Sequence, residues 1–122
     1  MKLPQLEKVV VSALEDIKGR DIEVINTAKL SSLFERIVIA CGDSNRQVKS
    51  LARNVQDKVR EAGGTILSTE GEENGEWVLV DLGDIVVHVM QPAIRSYYNL
   101  EELWSGKVPA RARKTPAAAQ EV

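Results

Sequence analysis

The sequence is poor in the residues that metal and redox chemistry need most. Its 122 residues contain one cysteine, Cys41, and one histidine, His88. An internal disulfide therefore cannot form, and no Cys/His zinc set can be assembled. No apolar run approaches the roughly 20 residues of a membrane span, and the first helix expected is too rich in Glu, Asp and Lys for a signal or transit peptide. These absences predict a cytoplasmic protein. An excess of positive charge is missing as well: 16 Lys and Arg face 18 Asp and Glu, a formal net charge of −2. The charge is unevenly spread. Lys107, Arg111, Arg113 and Lys114 against Glu121 make residues 105–122 net +3, which leaves residues 1–104 at −5. An acidic body argues against generic binding to nucleic acid, where cations must displace condensed counterions. A basic protein partner fits it better.

What is present suits one globular domain: 43% apolar and 28% charged residues over a single-domain length. Leu6, Val9, Val10, Ala13, Leu14 and Ile17 recur at three- and four-residue spacing, so residues 4–18 read as an amphipathic helix with Pro4 in its first turn and Gly19 at its C-cap. Residues 21–26 alternate acids with β-branched residues, as a half-exposed strand does. The almost wholly apolar run 36–41 predicts a central strand buried on both faces. Ser44 followed by Gln47 makes a capping box that opens a helix ended by Gly63-Gly64. Residues 65–69 follow as a strand, completing a strand-helix-strand unit whose strands should be parallel with a right-handed crossover. The class is α/β.

Residues 77–82 and 85–90 read as two strands joined by a Gly83-Asp84 hairpin turn of type II′ or I′. A two-residue loop puts Val78, Val80, Leu82, Ile85, Val87 and Val89 on one purely aliphatic face. The opposite face carries Trp77, Leu79, Asp81, Val86, His88 and Met90. Its mixed character allows two readings. A helix covers it, with His88 bonded to backbone; or it is a protein-docking surface, of the kind in which Trp and Met are enriched. Trp77, Tyr97, Tyr98 and Trp104 all lie late in the chain, among Glu70, Glu72, Glu73, Glu76, Asp84, Glu101 and Glu102, an acidic rim that would steer a basic partner. Residues 94–98 and 99–104 read as one or two short helical turns, for which Asn99 suits an N-cap. Residues 105–122, with Pro109, Pro116 and an alanine run, have little to bury and should be disordered.

Catalytic motifs are weak or missing. His88 has no identifiable nucleophile as partner, Cys41 reads as a small hydrophobe, and Gly42-Asp43-Ser44 is explained by capping. Asp81 and Asp84 lack the alternation that would set two carboxylates on one strand face, so neither a metal site nor a cofactor site is predicted.

The stretches 77–90 and 97–104, reinforced by Gly42-Asp43-Ser44-Asn45-Arg46-Gln47-Val48 and Glu70-Gly71, resemble the bacterial ribosomal silencing factor (Iojap-like) family over roughly residues 5–105. The resemblance implies a single domain over residues 1–104. Its fold would be a mixed five-stranded sheet with flanking helices, similar to nucleotidyltransferases but without their glycine-serine and paired-aspartate motifs. It also implies a translation repressor, not an enzyme. Such a protein binds the large ribosomal subunit through ribosomal protein L-fourteen, hinders joining of the small subunit and lowers translation when nutrients are scarce. The implied protein contacts are Trp77, Leu79, Asp81, Tyr98, Leu100 and Glu101, which match the face derived from strand alternation. A homodimer is also allowed, and RNA contact by the basic tail is expected to be minor at most. The rival class is a nucleotidyltransferase-like enzyme using Asp81, Asp84 and His88 around a metal and a nucleotide.

Overall fold

A computed structural model describes residues 1–99. The elements run α1 (Leu3–Asp16), β1 (Arg20–Asn26), β2 (Arg36–Cys41), α2 (Asn45–Glu61), β3 (Ser68–Glu70), β4 (Trp77–Asp81), β5 (Ile85–Met90) and α3 (Pro92–Tyr98). The fold is a single α/β domain with a five-stranded mixed sheet in the order β1-β2-β5-β4-β3. β2 and β5 pair in parallel and the other neighbours are antiparallel. The expected helix at 99–104 and tail at 105–122 lie outside the described residues.

Local chemistry sets the element ends. Ser44 caps α2 by accepting from the Gln47 amide at 3.1 Å. The return half of the box is displaced by one residue: the Gln47 side chain accepts from the amide of Asp43, not of Ser44, at 2.7 Å. Its amide group also donates to the Ile17 and Lys18 carbonyls at 3.3 Å, tying the end of α1 to the start of α2. α2 stops as expected: Gly63 takes φ +91° and the Gly64 amide reaches back to the Val59 carbonyl, 2.8 Å away. α1 closes by the same motif one residue earlier than expected. Ile17 is its C-cap, Lys18 takes the left-handed conformation (φ 61°), and Gly19 follows it, donating to Leu14.

The strand-helix-strand expectation holds in direction but not in neighbourhood. β3 runs the same way as β2, yet β5 and β4 lie between them, and β3 pairs only with β4. Pairing covers Ser68–Glu70 instead of 65–69. Thr65, Ile66 and Leu67 approach the sheet first, and the Leu67 amide bonds the Asp81 carbonyl at 2.8 Å.

The hairpin between β4 and β5 has the expected register: Trp77 opposite Met90, Leu79 opposite His88, Asp81 opposite Val86. Leu82 donates to Ile85, and φ is +91° at Gly83 but not positive at Asp84, the pattern of a type II′ turn, where a Cβ at the first position would be strained. All six residues of the aliphatic face are buried and pack with Val10, Leu14, Leu51 and Val55 of the two long helices in the main core. Both long helices therefore cover this one face of the sheet.

Candidate functional site

The opposite sheet face keeps a partial cover. The strand registers set its residues in three rows. The row nearest the hairpin turn reads Ile25, Ile37, Val86, Asp81. The middle row reads Glu23, Ile39, His88, Leu79, Glu70, with a carboxylate at each edge and an apolar centre. The far row reads Cys41, Met90, Trp77. Ile37, Ile39 and Met90 are buried and form a second, small cluster with Ile25, Phe34, Trp77 and Ile94. Trp77, Leu79, Asp81 and Val86 remain half-buried. Neither sequence reading is complete, because α3, seven residues long, covers only the Met90 end.

At that end Trp77 and Tyr98 pack at a tilt of 47° with ring centroids 4.9 Å apart, and Tyr97 meets Tyr98 edge-on at the same distance. At the turn end lies a cleft of about 360 Å³ floored by Ile37, Leu79, Val86 and His88. Leu33 and Leu67 line it while 82% and 63% exposed. The loop that carries Leu33 is closed by Thr27 N to Glu35 O at 3.0 Å and pinned to the hairpin by the Glu35 and Arg36 amides on the Asp84 carbonyl. Leu33 is thus held at the rim by a fixed loop.

His88 is 1% exposed, and its partner is not the backbone. Trp77 Nε1 donates to His88 Nδ1 at 3.0 Å. The indole nitrogen can only donate, so Nδ1 must carry a lone pair and the ring is neutral with its proton on Nε2. Desolvation by burial lowers its pKa from 6.5 to about 3, which keeps it neutral at cellular pH. The imidazole therefore serves the face as an uncharged floor that satisfies the Trp77 donor. Asp81 is occupied locally, its carboxylate accepting the Gly83 amide at 2.8 Å. Among the described residues, no three of His, Cys, Asp and Glu converge to hold a metal ion.

Four of the six residues expected to contact a partner share this face or its end: Trp77, Leu79, Asp81 and Tyr98. Leu100 and Glu101 lie outside the described residues. Asn99 is not an N-cap: its φ of 50° and ψ of 53° are left-handed, and it closes α3 as its C-cap. Sequence reasoning missed Leu33 and Leu67. The one available signal was a pair of large apolar residues, Leu33-Phe34, in a serine-containing loop.

A family model described as "Ribosomal silencing factor during starvation" matches residues 1–121. The ribosomal silencing factor RsfS of Chromobacterium violaceum is 57% identical over 112 residues, covering 92% of each chain. That of Bacillus subtilis is 38% identical over 104 residues, covering 85% of this chain and 88% of the relative. A crystal structure of a Chromobacterium violaceum protein superposes with a TM-score of 0.85 at 57% identity, over 90% of this chain and 92% of that one. A half-covered apolar sheet face rimmed by carboxylates, on a chain matched along nearly its whole length, belongs to a member of the ribosomal silencing factor family.

Proposed function

We propose that this protein lowers translation under nutrient limitation by binding the large ribosomal subunit through ribosomal protein L-fourteen and sterically blocking the small subunit. The observation that carries the reading is the second sheet face. It leaves Leu33 and Leu67 in water around an apolar cleft, and Trp77 and Tyr98 half-buried beside it. Exposed apolar surface of this kind, rimmed by polar groups, marks an interaction site. Glu70 at the β3 edge of the middle row and Asp81 beside it favour a basic partner and set its approach. Occlusion requires no bond to be made or broken, so the neutral His88 and the turn-bound Asp81 need no catalytic role. A protein acting in this way works in the cytoplasm, where ribosomal subunits meet.

The test is sedimentation of the purified protein with separated subunits, followed by light scattering of subunit joining. The protein should pellet with large subunits and reduce joining. Equal affinity for both subunits would refute the reading. Calorimetric titration with ATP, CTP and Mg²⁺ addresses the nucleotidyltransferase-like alternative around Asp81, Asp84 and His88: saturable heat that Asp81→Asn and Asp84→Asn abolish would favour it.

A further inference from the structure

α3 contributes no buried residue and has no side-chain N-cap. A helix of seven residues has no stability of its own in water, so tertiary contacts must set its position. Ile94 and Tyr98, four residues apart, share one side of it. Ile94 meets the second apolar cluster and Tyr98 meets Trp77 on β4. The N-cap residue Gln91 is tied to the Glu76 carbonyl and to Asn45, which leaves the turn that carries Tyr98 to be fixed by side-chain contacts.

Arg95 adds a further point on the same face, toward the β1–β2 edge of the sheet. Its side chain is 10% exposed, and its Nη1 donates to the Asp21 carbonyl on β1 and to Cys41 Sγ on β2, the latter at 3.3 Å. Its Nη2 lies 4.0 Å from Glu23 Oε2. β1 is shaped to receive it. The register with β2 slips between Arg20 and Glu23, and Asp21 takes φ 50°, a left-handed conformation that strains a residue bearing a Cβ. The bulge removes Asp21 from the ladder and leaves its carbonyl to the guanidinium. One guanidinium thus meets both strands, Nη1 bonding Asp21 and Cys41 while Nη2 faces the Glu23 carboxylate, and a lysine ammonium offers one nitrogen in place of these two.

We propose that Arg95 is a positioning residue for partner binding: it clamps α3 to the β1–β2 side of the sheet so that Tyr98 stays packed on Trp77. The proposal rests on the docking reading above, and the test separates the two. It is a double-mutant cycle with Tyr98→Ala in a Trp104→Phe background, where Trp77 is the sole indole. Arg95→Ala should weaken binding to isolated large subunits by roughly tenfold or more and shift Trp77 emission to the red. Neither change should grow when Arg95→Ala is added to Tyr98→Ala, because both act on one contact. Arg95→Lys should recover part of each effect, and it replaces Arg95→Ala in the cycle if that variant does not fold. Additive changes, or unchanged Trp77 emission, overturn the clamp. A starting protein that ignores large subunits refutes the docking reading instead, and the emission cycle still decides the clamp by the same criterion.

Discussion

Replacing His88 by glutamine should remove an acid sensitivity that this one residue builds into the fold. In register the imidazole lies between Ile39 and Leu79, and burial lowers its pKa from 6.5 to about 3. The folded protein keeps the ring neutral, whereas the unfolded chain takes up a proton as the pH falls below the ordinary value. Protonation therefore favours unfolding. The stabilising contribution is complete above the unfolded-state pKa and is lost as the pH drops toward the folded-state one. Between roughly pH 7.5 and 5.5 only the unfolded imidazole titrates, which amounts to a loss of about 1.4 kcal/mol. At a urea m-value of ~2 kcal/mol/M the midpoint should fall by about 0.7 M across that window. Glutamine does not titrate, and its amide oxygen can accept the Trp77 N–H in place of Nδ1, so His88→Gln should lack this part of the fall and still bind its partner. Because the sequence holds a single histidine, NMR follows its ring protons without assignment, and they should stay flat down to about pH 5. Equal midpoint shifts in the two proteins, or a folded-state titration near the ordinary value, would show that the ring is not held neutral by burial.

Trp77→Ala and Tyr98→Ala should each weaken large-subunit binding by about 2 kcal/mol or more, read from association and dissociation rates. Trp77→Phe keeps a ring against Tyr98 but removes the donor to His88, and should cost about 1 kcal/mol of stability, read from urea midpoints. Leu33→Asp and Leu67→Asp alter side chains already in water, so each should reduce binding while changing stability by no more than about 0.5 kcal/mol. Ile85→Ala, fully buried on the aliphatic face, should do the reverse and cost about 2–5 kcal/mol in a urea melt with binding by the folded fraction intact. Asp81→Lys should slow association and reduce its salt dependence, and should also lose about 1 kcal/mol of stability with the Gly83 bond.

The parts of the fold legible in the sequence were those fixed by short-range rules. The period-two pattern on either side of Gly83-Asp84 determined which residues of β4 and β5 share a face, since a two-residue loop admits one parity. The almost wholly apolar run 36–41 announced a strand between neighbours, and β2 does lie between β1 and β5. Long-range choices were not legible. Nothing in residues 65–70 says that β3 passes over two strands before pairing, because strand order depends on which hydrophobic faces α2 must cover. Asn99 illustrates the same limit at short range: asparagine suits an N-cap and also the left-handed C-cap, and only the position of α3 selects between them. The candidate site divided likewise. Trp77, Leu79 and Asp81 follow from alternation, whereas Leu33 and Leu67 reach the same cleft from separate loops whose approach no local pattern encodes.

The distribution of helices would let this face serve a partner without endangering the fold. Both long helices pack on the aliphatic face, which buries Val78, Val80, Ile85, Val87 and Val89 completely. That core does not depend on what happens across the sheet. The other face has a short helix, a closed loop and a small cluster around Ile37, Ile39 and Met90. Its remaining residues suit both states. Trp77 has its N–H satisfied by His88, and Asp81 holds the Gly83 amide with one carboxylate oxygen and would meet a basic partner with the other. A neutral His88 matters here, because an imidazolium under the cleft would have to be desolvated on docking and would repel a basic partner. A partner docked on this face would therefore remove water mainly from Leu33, Leu67, Leu79 and Val86, where doing so is favourable, and would leave the buried Trp77–His88 pair as it was.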